Sequence, residues 1–176
     1  MKLLIYPDKR LLAPCKTKVT EFNEDLHKTL DDMARLMRAS HGIGLAANQV
    51  GLDQRMFIAM DYRREIWDFI NPRIIELDER KANIEEGCLS APVHSLAGIS
   101  GSDLVVPSRS LNVLIEAQDR NREHIKVAAY GVEAVCIQHE YDHLNGEFFF
   151  NKLLSRPIKR KVEKAWKKAQ KKLNRK

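Results

Sequence analysis

The sequence predicts an α+β fold, in which mixed or antiparallel strands surround a central helix and a further helix follows at the C-terminus. Two observations favour this class: most strand-like segments come before the last two predicted helices, and strands and helices do not alternate strictly. With 176 residues, 44% of them hydrophobic, the chain is expected to fold as one globular domain with a core of its own.

The first predicted helix begins after Asn23, because asparagine is a favoured N-cap and acidic residues suit the first turn of a helix. Its apolar positions recur at helical spacing: Leu26, Leu30, Met33 and Met37. Gly42 is predicted to end this helix, since glycine is common just after a helix C-terminus.

Four segments are predicted to be strands. Residues 56–60 form a short buried strand, and residues 67–70 form a second strand that Asn71 and Pro72 close. A hairpin follows, because turn-forming residues separate two further strand-like segments. Its first strand, turn and return strand are residues 111–117, 119–122 and 124–130.

The two remaining helices differ in charge. A helix is predicted over residues 131–144, with Asn145-Gly146 as its stop. Residues 158–176 are predicted to form a basic amphipathic helix that packs on the domain formed by residues 1–157. That segment holds ten Lys or Arg residues and one Glu, so its formal net charge is +9. Because the whole chain has a formal net charge of +6, the remaining residues carry −3. The basic character therefore belongs to the tail and gives no hint that the body binds nucleic acid.

Composition also excludes several classes of protein. No apolar run reaches the roughly 18–20 residues of a membrane helix, and the apolar start of the chain is too short for a signal peptide. Three cysteines are too few, and odd in number, for a disulfide framework. We therefore expect a cytoplasmic protein with no membrane contact, in which any special cysteine is a metal ligand or a nucleophile.

The central predicted helix carries the sequence His139-Glu140-Tyr141-Asp142-His143, an H-E-x-x-H motif. Residues four apart share one face of a helix, so the two histidines can bind one metal ion, and Glu140 beside them can take a proton from a bound water. The competing interpretation is a solvated helix with two surface histidines. The apolar residues Val132, Val135 and Cys136 precede His139 on the same face, which favours a pocket instead.

A catalytic site of this kind uses three protein ligands and leaves a fourth position for water. Downstream of the motif only Glu147 and Glu163 are available, and neither is convincing. Upstream, Cys88 in Glu-Gly-Cys-Leu-Ser is the best candidate, although a lone cysteine is more often a small core residue. Cys136 is a competitor that we expect to pack beside the site.

A third motif, Gly-Ile-Gly-Leu-Ala-Ala-Asn-Gln, covers residues 42–49. It lacks the third glycine and the Lys-Ser/Thr of a nucleotide loop. Its small residues would let a substrate backbone approach closely, and Gln49 could direct its amide at a developing oxyanion. The alternative is a helix cap, a turn and a buried strand without function.

These three motifs, in this order, resemble the signature motifs of the peptide deformylases, and the resemblance covers nearly the whole chain. It implies an enzyme that removes the formyl group from N-formylmethionine on nascent chains and releases formate. It also implies that Cys88, His139 and His143 bind the metal, that Glu140 transfers the proton, and that Gln49 and the Leu89 amide stabilise the oxyanion. The native ion would be Fe²⁺, with Zn²⁺, Ni²⁺ or Co²⁺ possible in the isolated protein.

The resemblance further implies a methionine pocket lined by Ile43, Ile84, Val132, Val135 and Cys136. Gly44 and Gly87 would lie where the substrate backbone passes as an extra strand. The partners would be N-formylmethionyl peptides, bound by a monomer. The basic tail helix has two interpretations, a solvated face or a contact with ribosomal RNA.

Residues 91–106 are predicted to form a loop longer than the family pattern, which could overhang the site or be a neutral insertion. It separates the Cys88 motif from Arg109, the counterpart of a buried arginine near Glu86. The rival functions are a metal-dependent peptidase or amidase that cleaves internal bonds, and a ribosome-binding module with a structural metal.

Overall fold

The computed structural model describes residues 1–6, 8–91, 107–148, 160 and 164. Its largest element is a five-stranded sheet in which every neighbouring pair of strands is antiparallel. The strands, in chain order, are β1 Gly44–Ala46, β2 Met56–Met60, β3 Ile66–Leu77, β6 Asn112–Gln118 and β7 His124–Tyr130. They lie in the order β1-β2-β3-β6-β7, and β4 Lys81–Asn83 pairs with β5 Ser108–Ser110 in a separate two-stranded sheet. The predicted α+β class is confirmed.

Helix α1, Glu24–Ala39, begins as predicted. Asn23 accepts a hydrogen bond from the Leu26 amide at 3.1 Å, and the four predicted apolar positions are its buried residues. Gly42 is predicted as the first residue after the helix, but the helix ends at Ala39 with Ser40 as its C-cap, so His41 takes that position. His41, with a φ of 59°, takes the left-handed conformation, while the Gly42 amide donates to the Met37 carbonyl, as the residue after the left-handed one does in a Schellman cap.

Strands β2 and β7 begin and end at the residues that the sequence predicts. Strand β6 begins and ends one residue later than its predicted range of 111–117. The prediction that Asn71 and Pro72 end β3 is wrong. The strand continues to Leu77, and its register with β6 shifts between Ile70 and Arg73. This bulge accommodates a proline that cannot donate to the ladder. Asn71 tolerates a φ of 50° there and hydrogen-bonds the main chain of Val19.

The sheet packs a helix on each face. Phe57 and Phe69, stacked with ring centroids 4.7 Å apart, face the second helix, α2 Val132–Leu144. Met56 and Ile58, which alternate with Phe57, pack with the apolar stripe of α1. Because both faces of β2 are buried, its sequence is a continuous apolar run.

Helix α2 also agrees with the prediction, beginning after Gly131 and ending at Leu144. The predicted C-terminal helix lies outside the described residues except for Arg160 and Lys164, which are helical and exposed. Most of the predicted loop at 91–106 also lies outside them. Within the described ranges, no helix combines the length and the apolar character that a membrane span needs.

Candidate metal centre

Two segments that are distant in the sequence bring three potential metal ligands together. His139 and His143 lie one turn apart on α2, and Cys88 follows β4 in a turn closed by the bond from the Ala91 amide to the Cys88 carbonyl. One ligand atom from each residue lies within 4.8 Å of the other two, and Cys88 Sγ is 3.3 Å from His143 Nε2. A thiolate and two imidazoles at this spacing suit one tetrahedral ion with an open fourth position.

The surroundings of each histidine fit a ligand role. His139 Nδ1 hydrogen-bonds Glu86 Oε2 at 2.8 Å, which fixes the ring and leaves Nε2 for an ion. Burial lowers the pKa of His143 well below its usual value and keeps it neutral, the form that binds metals. Burial also opposes protonation of His139, but hydrogen bonds to Cys88 and Glu86 outweigh it and raise its pKa. Metal uptake is therefore expected to release a proton from His139.

A buried ion-pair network supports His139. Arg109 donates to both oxygens of Glu86, at 2.7 and 3.0 Å, and to Asp142 Oδ2 at 2.6 Å. The side chains of Arg109 and Glu86 are only 6% and 3% exposed. Burial would raise the pKa of Glu86, but hydrogen bonds from His139 and Arg109 lower it, so the carboxylate is ionised. Because β5 carries Arg109 and α2 carries Asp142, the network joins the small sheet to the helix with both histidines.

Removing the arginine of this network is expected to be costly. Arg109→Met leaves a buried carboxylate without its partner, which typically costs about 3–5 kcal/mol. The exposed pair of Arg73 and Glu116 provides the control, since Arg73→Met should cost about 1 kcal/mol or less. Urea unfolding of the two variants measures both values, and equal losses would contradict the structural role of Arg109.

Glu140 lies beside the ligands, packed against β1. A methyl group added to Gly44 would lie 2.7 Å from Cys136 Sγ and closer still to Glu140 Oε1. Glycine at this position therefore makes room for the helix side chains of the site. Burial raises the pKa of Glu140 to about 7, and Oε2 is a buried atom without a hydrogen-bond partner. The carboxylate can hold a proton near neutral pH.

Gln49 is held in one orientation by its neighbours. Its Oε1 accepts from the Ala46 amide at 2.8 Å, and its Nε2 donates to Ser90 Oγ at 3.1 Å and lies 3.7 Å from Cys88 Sγ. The amide nitrogen therefore lies beside Cys88, one of the three candidate ligands. Leu89, the next residue after Cys88, lines the same cavity, and no acceptor among the described residues is bonded to its main-chain amide.

A cavity of about 380 Å³ opens over this group. Its walls include every residue predicted for the substrate pocket: Ile43, Gly44, Ile84, Gly87, Val132, Val135 and Cys136. Ile43 and Val132 are 45% and 58% exposed and form the rim. Cys136 is buried and donates through Sγ to the Ile43 carbonyl, and burial raises the pKa of its thiol well above the usual value. It is thus a neutral wall residue beside the three ligands.

Sequence reasoning missed several residues of the site. It assigned no role to Asp142, Ser90 or Asn48, which bond Arg109, Gln49 and His143 respectively. Each of these residues lies inside one of the three motifs: Asp142 in H-E-x-x-H, Ser90 in Glu-Gly-Cys-Leu-Ser and Asn48 in residues 42–49. Their positions in the motifs could therefore have marked them as candidate site residues. Their partners, however, are set by tertiary contacts.

Comparisons with known proteins agree with this geometry. A family model described as "Polypeptide deformylase" matches residues 1–159. The chain is 38% identical over 178 residues to "Peptide deformylase" of Campylobacter jejuni, covering 97% of this chain and 95% of the other. It is 40% identical over 171 residues to "Peptide deformylase 1" of Shewanella oneidensis, covering 94% and 95%.

Solved structures give the same result. A crystal structure of peptide deformylase from Ehrlichia chaffeensis matches with a TM-score of 0.83 at 30% identity, covering 98% of each chain. A peptide deformylase from Thermotoga maritima matches with a TM-score of 0.75 at 34% identity, covering 88% of this chain and 97% of that one.

Proposed function

Because the chain belongs to the peptide deformylase family, it is a metal-dependent hydrolase that removes the formyl group from nascent polypeptides, and we propose that Cys88, His139 and His143 hold its metal ion. The observation that carries this assignment is the convergence of these ligands in one cleft with Glu140. In the reaction, water adds to the formyl carbon, the C–N bond breaks, and formate and a free amino terminus are released.

Fe²⁺ is the native ion we propose, since a thiolate and two imidazoles suit iron as well as zinc, nickel or cobalt and the family commonly uses it. When bound, the ion lowers the pKa of the attacking water and polarises the formyl oxygen. Elemental analysis after anaerobic purification tests the assignment. Iron in stoichiometric amount supports it, and zinc alone would overturn it.

Glu140 is the proton-transfer group in this proposal. Its buried carboxylate, with Oε2 unpartnered, accepts the proton of the attacking water and passes it to the leaving amine. Gln49 and Leu89 line the same cavity, and we assign Gln49 Nε2 and the Leu89 main-chain amide as the donors to the oxygen on which negative charge develops.

The substrate backbone lies along β1. This strand is at the edge of the five-stranded sheet and pairs with β2 alone, so an extended peptide can add to it. The methionine side chain then enters the cavity between Ile43, Ile84 and Val135. The residues that we assign to this side-chain pocket are all uncharged, which suits an unbranched thioether.

A preference for methionine-like first residues follows. Formyl-Met peptides should be deformylated far faster than formyl-Asp peptides, because a carboxylate in an apolar pocket loses its hydration without gaining a partner. Initial rates of formate release on matched peptides measure the difference. Equal turnover of the two would refute the pocket assignment.

Formate release from formyl-Met-Ala-Ser, with Fe²⁺ under low oxygen, tests the function itself. The same assay with unformylated Met-Ala-Ser distinguishes a deformylase from a peptidase that shares the H-E-x-x-H motif. We expect formate from the first peptide and no cleavage of the second. Cleavage of the internal bonds at a comparable rate would favour the peptidase.

Ribosome contact is the role we propose for the basic tail. Residues 158–176 carry +9, and such a segment is attracted to the phosphates of RNA. Cosedimentation of the full chain with ribosomes should decrease as the salt concentration rises. A chain that ends at Pro157 should cosediment less than the full chain. A salt-independent result, or equal binding of the truncated chain, would contradict this role.

We also propose that the enzyme works in the cytoplasm as a monomer. Nascent chains are its substrates, and every proposed ligand and proton-transfer group comes from one chain. Light scattering of the metal-loaded protein tests the second point, and a stable dimer would contradict it.

A further inference from the structure

Asn48 connects the main chain of one proposed metal ligand to the segment that carries Gln49. It lies in the short 3-10 helix Ala47–Val50, is 3% exposed, and donates through Nδ2 to the His143 carbonyl at 2.6 Å. We propose that Asn48 is a positioning residue for His143, which sets the orientation of the imidazole ring. This inference rests on the proposed metal-binding role of His143.

Unpartnered atoms on the two residues carry the argument. Among the described residues, three buried side-chain nitrogen or oxygen atoms lack a hydrogen-bond partner: Asn48 Oδ1, Glu140 Oε2 and His143 Nδ1. The Glu140 atom belongs to the reaction centre. The other two belong to residues that are already bonded to each other.

These two atoms are chemically complementary. His143 directs Nε2 at Cys88 Sγ, 3.3 Å away, so binding an ion through Nε2 leaves the proton on Nδ1. That N–H needs an acceptor, and Asn48 Oδ1 is an acceptor without a donor. A histidine ligand generally donates its second ring nitrogen to such a group, which sets the tautomer and the ring plane. Because the two atoms are not bonded to each other here, we infer that Asn48 Oδ1 fills this role in the metal-bound protein.

The same contact ties the oxyanion donor to the metal centre. Asn48 and Gln49 are neighbours in one short helix, and Gln49 Nε2 also reaches Ser90 and Cys88. A displacement of Asn48 would therefore change the distance between the proposed oxyanion donor and His143 together with the ring orientation.

Other contacts hold the end of α2 in place when Asn48 is changed. The Leu144 carbonyl accepts from the Cys15 amide at 2.9 Å and from Arg55 at 3.3 Å. Arg55 also donates to Asn145 Oδ1. Loss of the Asn48 side chain should leave the helix folded and affect His143 itself.

Metal release is the test. Zinc-loaded protein is mixed with excess chelator, and the release rate of Asn48→Ala is compared with that of the wild type. Loss of an outer partner of a ligand typically changes metal affinity by about 10–100-fold, so we expect release to be faster by about that factor. Asn145→Ala, which changes the same helix end and removes a side chain that makes no bond to His143, is the matched control and should release zinc at the wild-type rate.

Asn48→Asp separates the two functions of the side chain, since it keeps an acceptor and loses the Nδ2 donor. We expect it to release zinc more slowly than Asn48→Ala and to keep the slowly exchanging Nδ1–H signal of His143 in nitrogen-resolved NMR spectra, which Asn48→Ala should lose. Release at the wild-type rate in Asn48→Ala, or no advantage of Asn48→Asp over it, would overturn the inference. If instead His143→Ala binds zinc as tightly as the wild type, the proposed metal site itself fails.

Discussion

Glu140→Ala is expected to lower the turnover number for formyl-Met peptides by about 10²–10⁴-fold, the usual contribution of a positioned acid-base group. The reason is geometric. Glu140 follows His139 on α2, is 4% exposed, and faces the cleft that holds the proposed ligands. Without it, no carboxylate at that position takes the proton of the attacking water or returns it to the leaving amine.

The metal content of this variant should equal that of the wild type, because Glu140 is not one of the three converging ligands. Glu147→Gln is the matched control, since Glu147 is an exposed glutamate just beyond the same helix, and it should retain both metal and activity. Steady-state kinetics and elemental analysis on the same samples measure both quantities. An active, metal-loaded Glu140→Ala enzyme would remove Glu140 from the mechanism.

Cys88→Ala is expected to abolish stoichiometric metal binding and, with it, deformylation. The Cys88 thiolate is the proposed ligand outside α2, so its loss would leave two imidazoles, which hold a divalent ion only weakly. Cys136→Ala is the matched control for metal binding. Cys136 is a buried thiol one turn before His139, and burial raises its pKa well above the usual value, which opposes the thiolate form that a ligand needs.

Elemental analysis after dialysis distinguishes these two cysteines. Wild type and Cys136→Ala should each retain one ion per chain, and Cys88→Ala should retain almost none. The reverse pattern would show that the upstream ligand was assigned to the wrong thiol.

Regular, amphipathic elements could be predicted from the sequence. The periodicity of α1, the length of β2 and the hairpin of β6 and β7 all depend on local patterns that match the fold. Strands β1, β4 and β5 have three residues each, too few for a periodic pattern. The end of β3 was predicted wrongly because Pro72 usually stops a strand, whereas a bulge and the bonds of Asn71 allow this one to continue.

In the candidate site, too, the features that depend on local spacing could be predicted, and the tertiary contacts could not. Spacing on one helix predicts that His139 and His143 share a face, and an incomplete ligand set points upstream to Cys88. The family resemblance adds the pair of Arg109 and Glu86, which the structure joins with two hydrogen bonds. The bond between Asn48 and His143 spans 95 positions in the chain, so only the folded protein brings these residues together.

X-ray absorption spectroscopy of the zinc-loaded protein tests the central claim most directly, because it counts the sulfur and nitrogen neighbours of the ion. We predict one sulfur at about 2.3 Å and two imidazole nitrogens at about 2.0–2.1 Å, with a light atom from solvent completing the shell. A first shell without sulfur, or one closed by four protein ligands, would contradict the account.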